Sequence, residues 1–303
     1  MITSLTMLLA ACVGQAAGGP GPFAFREVGP TGLELSEGGK PVFVYNFGMM
    51  LAPGFPESMR RSCYLHPVYA PDGTVLTDDF NKDHPHHRGI SWMWPEVTVG
   101  GKKGDIWTVQ GFQQRFVAWK ARETGADTAR LAVENGWFDG PRKFVKEDVE
   151  IEAHRAVQDS RLLEFTLRFE AVDQPVQIAG TPDGKKGFGG FCFRFAPRDQ
   201  AALGARGAAK TVIRTDKGVA AKDGVLDRHP WAEITGTFHG KPAGARVEDM
   251  PANPGYPSNG WLMRHGFGFL NVSYPGLKPI TLEPGKPLVL KYRVILFAGE
   301  PAP

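Results

Sequence analysis

The stretch Arg161-Leu162-Leu163-Glu164-Phe165-Thr166-Leu167-Arg168-Phe169-Glu170 alternates apolar and polar residues over its whole second half. In a pleated strand Leu163, Phe165, Leu167 and Phe169 share one face and Glu164, Thr166, Arg168 and Glu170 the other, because successive side chains point to opposite sides. A helix would scatter both sets around its circumference. The same period returns at Phe191-Cys192-Phe193-Arg194-Phe195 and sends Arg194 out of the face opposite the three phenylalanines. Similar short runs occupy 41–45, 106–109, 116–119, 130–134, 145–153, 268–272 and 288–297. Between runs stand Pro71-Asp72-Gly73, Pro182-Asp183-Gly184 and Lys222-Asp223-Gly224, whose Asp and Gly supply turn hydrogen bonds and positive φ. Turns this short join antiparallel neighbours rather than helical crossovers.

The expected fold is therefore all-β, a large antiparallel two-sheet sandwich with few short helices. Residues 201–210 are the segment best suited to an irregular or helical insert. Without a fixed-period repeat or a Ser/Gly linker, residues 20–303 read as one domain, with a boundary near residue 180 as the alternative. The 38 Gly and 25 Pro interrupt the 303 residues too often for long helices, while 42% hydrophobic residues are enough for a real core.

Thirty-five Lys and Arg against 32 Asp and Glu leave a formal charge of +3, spread without the dense basic stripe that tracks phosphates. Nucleic acid is not an expected partner. Residues 1–19 form a short apolar run ending in small residues, as a secretory signal does. Leu9-Ala10-Ala11-Cys12 also resembles a bacterial lipobox, which would make Cys12 a lipid anchor. The expected location is periplasmic or extracellular, soluble or lipid-anchored, since no later run approaches the ~18 apolar residues of a membrane span. Beyond Cys12 only Cys63 and Cys192 remain, which suits small core fillers better than a disulfide framework.

Three of the eight histidines fall in Asp83-His84-Pro85-His86-His87-Arg88-Gly89. Packing alone does not require that density. In an extended segment His84 and His86 would point one way and His87 the other, unless Pro85 bends the backbone. Imidazoles titrate near neutrality and suit proton transfer, and Asp83 or Asp79 would orient a ring by accepting its other proton. His84, His86 and His87 are thus the candidate catalytic groups, with no cofactor expected. Two readings stand beside this one: a divalent-metal site from His66, His84 and His86, and a purely structural loop.

Tyr64, His66 and Asp79 upstream, Arg88 within the segment, and Trp92 and Trp94 downstream make a polar, aromatic-rimmed neighbourhood. Sugars stack their C–H faces on aromatic rings and give their hydroxyls to polar side chains, so a carbohydrate is the expected ligand. The other reading of Trp92 and Trp94 is as core residues. Farther on, Arg264 and His265 in Trp261-Leu262-Met263-Arg264-His265-Gly266-Phe267-Gly268, followed by Asn271, offer a substrate clamp and a further proton-transfer group. Arg194 and Trp231 are added as substrate-binding candidates. His229-Pro230-Trp231 and Glu248-Asp249 with Asn253 suit turns equally well. Nucleophile elbow, phosphate loop, dinucleotide fingerprint and paired Cys-x-x-Cys are all missing.

Through Tyr64 to Gly89, with His66-Pro67, Pro71-Asp72-Gly73 and the histidine segment, and again through Trp261, Arg264, Gly266 and Asn271, the chain resembles the bacterial PmoA-like family. The resemblance runs from about residue 40 to the end. It implies a galactose-mutarotase-like β-sandwich in a carbohydrate-degrading setting. It does not imply methane oxidation, which belongs to a membrane-embedded enzyme. In aldose-epimerase-like sites a histidine protonates the ring oxygen while a carboxylate takes the anomeric proton, and no glutamate here stands in a matching motif. Three functions follow as expectations: a carbohydrate-active hydrolase, lyase or epimerase using His-based acid/base chemistry; a non-catalytic carbohydrate-binding protein; and a metal-dependent hydrolase or lyase.

Overall fold

All but one of the alternating runs lie in strands of the computed structural model, which describes residues 22–199 and 211–299. The leader, Cys12 and the 201–210 insert fall outside the described residues. Among those described, the single helical element is a short 3₁₀ turn, Glu57–Met59. Two nine-stranded antiparallel sheets and one four-stranded sheet account for the rest.

The first large sheet runs Phe23–Val28, Gly32–Glu37, Lys40–Asn46, Tyr64–Val68, Ile90–Met93, Gly190–Arg194, Phe269–Ser273, Trp261–Arg264 and Gly224–Asp227. The second is built round the opening run: Ser160–Ala171 lies between Arg142–His154 and Leu288–Ala298. Leu163, Phe165, Leu167 and Phe169 are buried as their period requires, each fully buried phenylalanine contributing about 1.5–3 kcal/mol. They meet the first sheet directly, with Phe165 and Phe191 ring centroids 5.2 Å apart and Phe169 and Trp94 at 5.0 Å.

The exception is 106–109. Asp105 accepts from the Thr108 backbone N–H at 2.5 Å and the Thr108 hydroxyl at 2.7 Å, folding the run into a turn. Local side-chain bonding to the backbone outcompetes the ladder there. Ile106 and Trp107 are buried all the same.

Register in the first sheet fixes what each face carries. Leu65 pairs with Ile90, Ile90 with Phe193 and Phe191 with both Trp92 and Val272, so these side chains share the core face. Tyr64, Ser91, Met93, Cys192, Arg194 and Phe269 fall on the opposite face. That second face is also largely buried, because loops lie over it. Cys63 and Cys192 are both buried and free.

Candidate functional site

The histidine segment lies over the second face of this sheet, and it is not extended. The His87 N–H donates to the His84 carbonyl at 2.9 Å, closing a β-turn with Pro85 and His86 at its centre. Proline's fixed φ suits the second position of such a turn. Pro85 bends the backbone, so the two-against-one arrangement of an extended segment does not arise. His84 and His87 stack at 4.9 Å with ring planes 3° apart, and His86 meets His87 edge-on at 4.4 Å.

Gly89 closes the segment at φ +43°. Its N–H donates to the Asp78 carbonyl, and its own carbonyl accepts from the Arg194 N–H, both at 2.8 Å. Arg88 fastens the loop from beneath. Its Nε donates to the Pro85 carbonyl and its Nη2 to the Met59 carbonyl, both at 2.6 Å, while Nη1 lies 3.2 Å from Asp79. The guanidinium also stacks 3.4 Å over Phe80. Tyr64 donates its hydroxyl to Asp79 at 2.7 Å.

Arg88 and Tyr64 are fully buried in this clamp, so their expected substrate-binding role gives way to a supporting one. Asp79 is held by both and is equally spent. Trp92 and Trp94 are core residues rather than a ligand rim: each is fully buried, donating its indole N–H to Glu147 and to the Tyr274 carbonyl. Asn271 is also dry, bonded to the carbonyls of Gly189 and Phe191. A buried side chain with its bonding capacity filled has nothing to offer a ligand.

The C-terminal candidates are spent on other partners. His265 has both ring nitrogens occupied, by Asp223 at 2.9 Å and the Ala220 carbonyl at 3.1 Å, which removes it as a proton-transfer group. Arg264 is tied to the carbonyls of Gly224 and Met263. Trp231 belongs to the second sheet, where Arg246 stacks 4.1 Å over its ring. His229 bonds Asp216 at 2.6 Å, and Asn253 bonds Asp249 and the Lys291 backbone, so both tie loops to distant parts of the second sheet.

His66 bonds Thr77 at 3.0 Å. Among the described residues no group of three His, Cys, Asp or Glu side chains is arranged to hold a metal ion, so the His66, His84, His86 set is not assembled.

What remains is a compact cluster. His87 is buried, sandwiched between His84 and Phe269, the latter at 4.2 Å, with Trp107 edge-on at 5.4 Å. Its Nδ1 has no partner. His84 and His86 are partly exposed. Phe267 stacks on His84 at 4.7 Å, and the Arg194 guanidinium lies 4.7 Å over the same Phe267 ring. Arg194 leaves the face opposite Phe191 and Phe193, and its Nη2 donates to Asp83 at 2.9 Å. Asp83 in turn places its other oxygen 3.0 Å from His84 Nδ1, poorly aligned for a hydrogen bond.

Burial, reinforced by Arg61, His84, Arg194 and Arg88, pushes His86 down to about 4. Burial likewise holds His87 well below the usual imidazole range, with His86 and His84 adding to the effect. Both rings are neutral at pH 7. Above the unfolded value near 6.5 neither state carries the proton; below it the unfolded chain binds a proton that native His86 refuses until about pH 4. Stability is thus full above pH 6.5 and is lost as pH falls through this window. The loss expected from His86 is about 2 kcal/mol after allowance for partial exposure. Urea midpoints at pH 7 and pH 5 measure it, and H86Q should shrink the difference while that of His87 remains; an unchanged difference would remove His86 from the account.

Phe267, Trp107 and Arg61 escape sequence reasoning. Phe267 at least sits between two glycines beside the Arg264-His265 pair. Arg61 and Trp107 reach the cluster from outside the strands, and nothing in their local sequence ties them to the histidines.

No curated protein sequence matches the chain. Among solved structures it is similar to a galactose mutarotase related enzyme from Lactobacillus acidophilus, at 8% identity and TM-score 0.40, covering 92% of this chain and 97% of that one. It is also similar to the heparan sulfate lyase HepC from Pedobacter heparinus, at 10% identity and TM-score 0.35, covering 90% of this chain and 34% of that one. Both likenesses are distant, and neither bears on the chemistry of the site. The resemblance to a PmoA-like family is corrected by the sequence profile that does match: across residues 32–303, this chain belongs to the family of unknown function DUF6807.

Proposed function

We propose that the chain is an exported enzyme acting on a sugar or glycoside, with His84 and His86 moving protons and His87 as the packed floor beneath them. The observation that carries this reading is the pair of partly exposed imidazoles, one beside Asp83 and the other neutral, set next to unsatisfied N–H groups of Arg194. Neutral His86 is suited to accept a proton rather than to release one. Asp83 beside His84 Nδ1 leaves Nε2 of that ring for the ligand. Phe267 supplies an apolar surface next to these polar groups, the mixture that saccharides need. Hydrolysis, elimination and epimerisation all begin from such a constellation.

The test is a screen of glycosides and oligosaccharides against the wild type, H84A and H86A. Each substitution is expected to lower kcat by about 10²-fold or more while leaving sugar affinity within a few-fold, the usual weight of a positioned proton-transfer group. Saccharide binding at the turn with no turnover of any member would instead establish a binding protein.

A further inference from the structure

Two buried arginines around the histidine turn, Arg194 and Arg61, keep individual N–H groups without a partner. Arg194 is 2% exposed, yet its Nε and Nη1 donate to nothing, only Nη2 being spent on Asp83. Asp78 stands 3.6 Å from Nε, too far for a hydrogen bond. Arg61, equally buried, holds Met93 Sδ and the carbonyls of Ile106 and Trp107, and its Nε is unmet. Arg198, on the other side, bonds Thr211 and the carbonyls of Ala196, His265 and Gly266. Among the described residues neither Arg61 nor Arg198 forms an ion pair with a carboxylate.

A buried guanidinium with vacant N–H groups is costly to maintain, and a carboxylate satisfies it better than a hydroxyl because the bond is charge-assisted. The field agrees with the vacancy. The permanent charges felt most strongly at His86, those of Arg61, Arg194 and Arg88, all disfavour a further positive charge and so favour a negative one.

We propose that the histidine turn takes an anionic saccharide, a uronate or similar carboxylate-bearing sugar, whose carboxylate is received by Arg194 beside His86. This inference rests on the reading of the turn as a sugar site and narrows it to a substrate class. The bound carboxylate has a second consequence: a negative charge beside His86 raises that ring's affinity for a proton, so the ligand improves the base that acts on it.

The experiment pairs glucuronate, galacturonate and mannuronate with glucose, galactose and mannose. Each is titrated into the full chain while the histidine ring resonances are followed by NMR across a pH series. At least one uronate should bind tenfold or more tighter than its neutral partner and raise the His86 pKa by a unit or more, and added salt should shrink the preference. R194K keeps the charge but loses the unmet guanidinium N–H groups, and it should reduce the preference; if that variant fails to fold, the wild-type comparison decides alone. Equal binding of acid and neutral partners, with both perturbing the histidine rings, overturns the anionic class and leaves the sugar site standing. If no member of any pair perturbs those rings, both readings fall.

Discussion

Replacing Glu147 by Ala is expected to cost the fold about 4 kcal/mol or more, because four buried N–H donors lose their acceptor at once. Glu147 is fully buried in the Arg142–His154 strand. Its carboxylate accepts from Trp92 Nε1 at 2.8 Å, Gln114 Nε2 at 2.8 Å, Asn135 Nδ2 at 2.8 Å and Trp137 Nε1 at 2.7 Å. Trp92 belongs to the first large sheet and the other donors to the second, so one side chain ties the two sheets across the dry interior. Burial pushes the carboxyl up, and the bonds from Asn135, Trp92, Trp137 and Gln114 pull it back. No acceptor is bonded to it that would receive a carboxylic proton, so the network is built for the ionised form. E147Q keeps the volume but turns an amide N–H₂ toward the donors, with an expected loss of about 2–3 kcal/mol. Equilibrium urea unfolding followed by tryptophan fluorescence measures both, and a midpoint for E147A close to wild type would refute the role.

The second large effect falls at Gly89. An added Cβ would overlap the Leu65 carbonyl oxygen and stand 2.9 Å from the Leu65 carbonyl carbon and 3.0 Å from His66 Cβ. Two of these three atoms are backbone, so no rotamer change relieves the overlap, and φ is already in the left-handed region that side chains resist. G89A is expected to lose about 3 kcal/mol or more, combining backbone strain with overpacking. The displacement should reach the site, since Gly89 bonds the segments carrying Asp78 and Arg194. Ring resonances of His84, His86 and His87 should move even in the folded fraction. Wild-type stability with unmoved histidine signals would show that the loop tolerates a side chain there.

Both positions were open to sequence reading in different degrees. Within 145–153 the inward positions are Val145, Val149, Ile151 and Ala153, and Glu147 stands in the same phase. A charge at an inward position of a strand is a signal for a buried network, though nothing nearby in the chain names its partners. Gly89 ends the histidine segment, but the need for a glycine comes from Leu65, on a neighbouring strand. The three clustered imidazoles were legible as the candidate site; their mutual stacking was not, because it depends on a single turn hydrogen bond from His87 to His84. The rim and core readings of Trp92 and Trp94 were inseparable for a related reason. Trp92 and Trp94 alternate as ligand-stacking residues would, and the same alternation serves a core.

From the sequence alone followed the clearest strands, 161–170 and 191–195, and the side of the sheet each of their residues takes, including Arg194 opposite Phe191 and Phe193, since the two-residue pleat is a local property of the backbone. Tertiary structure alone decided which polar groups on that side stay free. Arg88 is spent on Met59, Tyr64 on Asp79 and His265 on Asp223, while Arg194 and His87 keep unmet nitrogens. Whether a donor is satisfied depends on segments brought together from distant parts of the chain, and no local pattern encodes that meeting.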